Sequence, residues 1–129
     1  MNREKLLKIL LVLLGLVFVA GVYPLMTSVR NGWQANQEDA LPMMLSLYVT
    51  LGVFLLVAAR NPTDNRSVIA FAAWSSFAHA AVMVVMALHI AREREGLLIA
   101  AAVFVIIGAA LIVLAPAKRL GERASAAGA

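Results

Sequence analysis

The sequence predicts an all-α protein, an antiparallel four-helix transmembrane bundle. Two observations carry this. Four apolar runs, at residues 6–26, 40–59, 68–90 and 97–115, fill most of the 129-residue chain. Each approaches the ~20 apolar residues needed to cross a hydrocarbon core about 30 Å thick. The composition agrees: 63% of residues are hydrophobic and 14% charged, with a mean hydropathy of +0.89. A soluble domain of this length has no interior large enough to hide that much apolar surface. Residues 1–116 read as one domain, and residues 117–129 as a disordered cytoplasmic tail with little to bury.

The first run, Leu6–Met26, follows a basic start, Met1-Asn2-Arg3-Glu4-Lys5. That start, with the small residues Val19-Ala20-Gly21, mimics a secretory signal. A signal core is only about 7–15 residues long. This run continues through Tyr23, Pro24 and Leu25, so it is expected to stay as a span. Lys8 sits about one turn inside it and can reach back to the headgroups.

The polar stretch Thr27–Asp39 contains the turn signal Asn31-Gly32 and an interfacial tryptophan, Trp33. Glu38 or Asp39 is placed to cap the second helix, with Pro42 tolerated in its first turn. That helix ends at Arg60-Asn61-Pro62, because proline cannot continue it. Asn65 or Ser67 is placed to cap the third. The charged turn Arg92-Glu93-Arg94-Glu95-Gly96 separates the third run from the fourth, which stops at Pro116.

Lysine and arginine counts set the orientation. Arg3, Lys5, Lys8, Arg60, Arg66, Lys118, Arg119 and Arg123 fall on one side, and Arg30, Arg92 and Arg94 on the other. Eight against three places both termini in the cytoplasm. The net charge of +4 does not point to nucleic acid. The basic residues flank apolar runs, where anionic headgroups explain them. The chain has no cysteine, which excludes disulfides and thiolate metal sites.

Polar groups at membrane depth are expensive and therefore informative. No Asp, Glu, Lys or Arg lies near the middle of a run, so proton-coupled export through a buried carboxylate is disfavoured. The one ionisable group near mid-span is His79. At 100° per residue it shares a face with Val68, Ala72, Ser75, Ser76, Met83 and Met86. Ala72, Ser76 and Ala80 form a ladder of small residues, which lets another helix approach closely. The second helix is the expected neighbour. From it Thr50 or Tyr48 can reach His79.

A candidate polar site therefore comprises His79, Ser75, Ser76, Thr50 and Tyr48. His79 is read as a neutral imidazole hydrogen-bonded to a neighbouring helix, or as a proton-handling or ligand-contacting group. Haem ligation is a third reading. His89 lies ten residues on, ~15 Å along a helix, so the two histidines cannot hold one iron within one chain. In the fourth run Gly96, Ala100 and Gly108 make a second packing stripe, interrupted by Phe104. Gly15 and Gly21 are weaker signals of the same kind. No phosphate loop, metal-ligand cluster or nucleophile–base pair is present, and no cofactor is expected.

Two stretches carry a resemblance. They are Tyr48-Val49-Thr50-Leu51-Gly52-Val53-Phe54-Leu55-Leu56-Val57-Ala58-Ala59-Arg60-Asn61-Pro62 and Ser67-Val68-Ile69-Ala70-Phe71-Ala72-Ala73-Trp74-Ser75-Ser76, with His79 and Met83 following. Together they resemble an uncharacterised family of small bacterial four-helix integral membrane proteins. The resemblance implies the inner membrane of a bacterium and assigns no catalytic residue. A looser likeness to DoxX-like membrane proteins rests on architecture alone.

The expected function is a membrane component without catalytic activity that packs with itself or a partner. The alternatives are a small-molecule binder or transporter around His79, and a haem- or quinone-binding redox subunit. The expected partners are the lipid bilayer and a second copy or another membrane protein. Nucleic acid is not among them.

Overall fold

The computed structural model describes residues 2–31 and 40–116. Among these residues there are five α-helices: α1 Arg3–Ala20, α2 Val22–Asn31, α3 Ala40–Arg60, α4 Arg66–His89 and α5 Arg94–Leu114, with a 3-10 turn at Ala91–Glu93 before α5. Four segments are long and apolar enough to cross a membrane: Arg3–Thr27, Pro42–Arg60, Arg66–His89 and Ala91–Leu114. Trp33, the capping candidates Glu38 and Asp39, and the 117–129 tail lie outside the described residues.

The first apolar run is not one helix. It breaks at Gly21, between α1 and α2. Pro24 is the cause. It has no N–H to donate to the Ala20 carbonyl, and its ring crowds that carbonyl. Gly21 N–H bonds back to Phe18 O at 3.1 Å, which closes α1. At the other end Asn2 caps α1, its Oδ1 accepting from Lys5 N at 2.9 Å. Lys8 pairs with Glu4 at 3.2 Å, one turn away.

The proline stops act where the sequence places them. α3 ends at Arg60 before Pro62, and α5 ends at Leu114 before Pro116. Ala115, with φ −56° and ψ 141°, takes the extended backbone that a following proline imposes. Asn65 precedes α4, yet its side chain does not cap it. Its Nδ2 donates instead to Asn61 O at 2.9 Å, tying the 61–65 link to itself.

Helix pairing differs from the sequence expectation. The heaviest packing joins α4 to α5 and α1 to α3, while α3 meets α4 only lightly. The tightest approach is a glycine crossing. A Cβ on Gly52 would lie 2.8 Å from Phe18 Cβ and 2.9 Å from Gly15 O and Val19 N. Further along, Gly21 faces Val49 and Leu45, so α1 and α3 run in opposite directions. The second pair closes through Gly108, where a Cβ would meet the Phe77 ring at 2.9 Å and Ala73 O at 3.0 Å.

Ala72, Ser76 and Ala80 are buried, but α4 turns its main packing face to α5 and not to α3. Gly96 leaves its predicted stripe altogether: a Cβ there would meet nothing within 4 Å. It stands in the first turn of α5, beyond the reach of α4. Ala100 is half-buried, while its neighbour Ala101 is buried with Gly108 and Leu111.

The two helix pairs are joined mainly in one half of the bundle. Leu7, Leu11, Leu55, Ala58, Ile69, Ala72 and Leu111 form a shared core there. The same end carries two arginines on carbonyls at and just beyond the C-terminal end of α5. Arg3 Nη2 donates to Val113 O at 2.6 Å and Ala115 O at 3.0 Å. Arg66 Nε donates to Pro116 O at 3.1 Å. A helix C-terminus presents unpaired carbonyls and partial negative charge, which cations satisfy.

Candidate functional site

A groove of about 730 Å³ runs between α3 and α4, within the range of small-molecule sites. It exists because each helix spends its close-packing face elsewhere: α3 gives Gly52 to α1, and α4 gives Ala73 to α5. The side chains left between them do not interdigitate. The groove opens sideways, since its apolar walls are well exposed: Leu47 is 73%, Phe71 63% and Val82 58% exposed.

Its polar lining comes from Tyr48 and Thr50 on α3 and from Ser67, Ser75 and His79 on α4. Four of the five sequence candidates therefore meet in one groove. The fifth, Ser76, does not line it. Ser76 is buried, and its Oγ donates to Ala72 O at 2.7 Å. One position along a helix rotates a side chain by about 100°, enough to turn it away from the groove. Ser67 was read from the sequence as a cap of this helix and not as a site residue; it lies inside the first turn of α4.

His79 meets Tyr48 edge-on, with ring centroids 5.6 Å apart and planes at 83°. Phe104 from α5 lies beside both, 4.6 Å from His79 and 6.3 Å from Tyr48. Tyr48 in turn meets Phe18 of α1 at 5.1 Å. One ring from each span thus contributes to a single cluster near mid-span. Sequence reasoning treated Phe104 as an interruption of a small-residue stripe and passed over Phe18. An inward phenylalanine looks like any exposed one, such as Phe71, when the whole helix is apolar.

The expected hydrogen bond from His79 to Thr50 or Tyr48 is absent among the described residues, which give His79 ring contacts instead. Thr50 Oγ1 donates within its own helix, to Ser46 O at 2.9 Å. Ser75 Oγ likewise donates to Ala72 O at 3.2 Å. Among the described residues no fully buried side-chain nitrogen or oxygen lacks a partner. The half-buried His79 ring nitrogens and Tyr48 hydroxyl are therefore accessible from the groove.

His89 stands apart at the exposed end of α4, its Nδ1 donating to Val85 O at 2.8 Å. His79 is thus the single imidazole of the groove. No group of three His, Asp or Glu able to hold a metal ion occurs among the described residues. The arrangement offers hydrogen bonding and ring stacking at the middle of an apolar trough. Among the described residues no side-chain hydrogen bond joins a hydroxyl to His79, and Thr50 and Ser75 bond within their own helices.

A family described only as of unknown function, DUF6632, matches residues 2–127. No curated protein and no solved structure matches the chain.

Proposed function

Because the chain belongs to the DUF6632 family, whose description assigns no activity, we propose a function from its own geometry. It is a non-enzymatic, multi-pass membrane protein that binds a lipophilic small molecule in the α3–α4 groove. His79 and Tyr48 anchor the polar end of that molecule. The carrying observation is that these two side chains have accessible polar atoms without hydrogen-bond partners among the described residues, in a groove open to the side of the bundle. Hydrocarbon satisfies neither group, and an unmet polar group in lipid is costly. A ligand with one polar group and an apolar body meets both the trough and its polar centre.

The protein lies in the inner membrane of a bacterium, with the Arg3–Arg66 end in the cytoplasm. Eight lysines and arginines against three support that orientation. The resemblance carried by residues 48–62 and 67–83 supports the compartment. A lateral opening lets the ligand enter from the lipid phase.

The test is chemical extraction of the gently purified full chain, followed by mass spectrometry of the released lipophiles. The reading expects one compound near stoichiometric amounts in the native protein. It expects loss of that compound in Ala78→Trp, which fills the groove, with helicity and elution unchanged. Retention of the compound in a folded Ala78→Trp protein contradicts the reading.

A further inference from the structure

We infer that the groove selects lipophiles carrying a hydroxyl group, an alcohol or a phenol, over lipophiles whose only polar atoms are carbonyl or ether oxygens. The inference rests on the ligand-binding reading above and deepens it. It follows from where the groove's own hydrogen atoms point. A hydroxyl has one hydrogen to donate and two lone pairs to accept with. Thr50 commits its hydrogen to Ser46 O, and Ser75 commits its hydrogen to Ala72 O. Such back-bonding to the preceding turn is the ordinary way a membrane helix satisfies serine and threonine. Both residues line the groove, and each brings lone pairs to it.

His79 adds one acceptor and one donor in its neutral form, and the Tyr48 hydroxyl adds another of each. Around His79 the groove therefore presents four acceptor groups, Tyr48, Thr50, Ser75 and His79, against two donors; Ser67, the remaining hydroxyl of the lining, stands twelve residues away along α4, about 18 Å at helical rise. A carbonyl or ether ligand can use only the two donors and leaves the acceptors unmet. A hydroxyl ligand donates into the acceptor wall and accepts from His79 or Tyr48 at once. The penalty for mismatch is large where water is excluded, because a site built for a hydroxyl rejects the analogue that lacks it.

The rest of the groove fits the apolar body of such a molecule. From Ser67 to Val82 it follows α4 over sixteen residues, about 22 Å at helical rise. Met44, Leu47, Phe54 and Phe71 wall it on either side of the polar centre. A long alkyl chain bearing a phenol or alcohol matches that length and polarity.

The experiment uses the full chain in lipid nanodiscs and a tritiated pentadecylphenol, displaced by the unlabelled phenol or by its methyl ether. The two competitors share size and apolar body, and only the phenol donates. The phenol should displace the label about tenfold better than the ether, the worth of one buried hydrogen bond. In the Thr50→Val, Ser75→Ala double variant that ratio should fall, because two of the four acceptors are gone while the volume is nearly kept. Equal displacement by phenol and ether in the native protein overturns the hydroxyl inference and leaves ligand binding standing. A tenfold ratio that survives in the double variant also overturns it, since the donor would then be read elsewhere. Absence of saturable binding by either compound overturns the inference together with the ligand-binding reading.

Discussion

The imidazole of His79 lies 4.6 Å, centroid to centroid, from the ring of Phe104. Phe104 is the middle residue of α5, and His79 stands near the middle of α4. Tyr48 completes the wall from α3, 5.6 Å from His79 and 6.3 Å from Phe104. These rings join the two helix pairs beyond the shared aliphatic core. They also hold the imidazole at the edge of the groove, between an edge-on tyrosine and a tilted phenylalanine.

Phe104→Leu should therefore loosen the cluster without emptying it. The expected loss is about 1 kcal/mol, the scale of an aromatic pair beyond its area. Phe71→Leu, at a residue 63% exposed, is the control and should change little. Reversible unfolding in bicelles measures both. Equal effects at the two positions would deny the ring cluster a structural role.

His79→Leu separates stability from binding. The swap exchanges a half-buried ring without hydrogen bonds among the described residues for an apolar side chain of similar reach, so the cost should stay below about 1.5 kcal/mol. Binding of the phenol probe should disappear. A folded His79→Leu protein that binds the probe with native affinity would remove His79 from the site.

The glycine crossing predicts a contrast between two identical substitutions. Gly52→Ala drives a Cβ to 2.9 Å from the Gly15 carbonyl and the Val19 nitrogen, both backbone atoms. The helices must separate, at a cost of about 1–3 kcal/mol. Gly96→Ala meets nothing and should be neutral or stabilising by up to about 1 kcal/mol through helix propensity. Thermal melts of the two variants in one detergent decide this, and similar melting points would contradict it.

Arg3 holds the end of α5 from 110 residues away in sequence. Arg3→Gln should fray that end, exposing the amides near Ala115 to faster hydrogen exchange. The stability change should be only about 0.3–1 kcal/mol, because the interaction lies at an exposed helix terminus. Unchanged exchange at residues 112–115 would show that the α5 carbonyls do not need the guanidinium.

Reporter fusions test the orientation. Fusions at residues 34, 63, 94 and 129 should read outside, inside, outside and inside. An external reading at 129, or a mature protein starting near Val22, contradicts the four-span topology.

The sequence made some of this legible and hid the rest for physical reasons. Helix ends written in prolines, at Pro62 and Pro116, are local chemistry and can be read directly. The break at Gly21 was equally local, since Pro24 forbids a bond to Ala20, but hydropathy averages over it. Helix partners were not legible. Every span is apolar nearly all round, so no polar stripe says which face turns inward. Small residues must then decide, and Ala72-x-x-x-Ser76-x-x-x-Ala80 looks no different from the positions of Gly15 and Gly52 that make the closest crossing. The polar candidates were easier to find because they are few. Tyr48, Thr50, Ser75 and His79 stand out in apolar helices, and the geometry gathers them; Phe18 and Phe104 had no such contrast.

The most direct test of the central claim is a map of photocrosslinks from a long-chain phenol bearing a diazirine on its tail, incorporated with the full chain in bilayers. The account predicts adducts concentrated at Leu47, Phe54, Phe71 and Val82, suppressed by excess unlabelled phenol and lost in Ala78→Trp. Adducts spread evenly over exposed faces such as Ile99, Ile106 and Val113, and indifferent to competitor, would contradict a ligand site between α3 and α4.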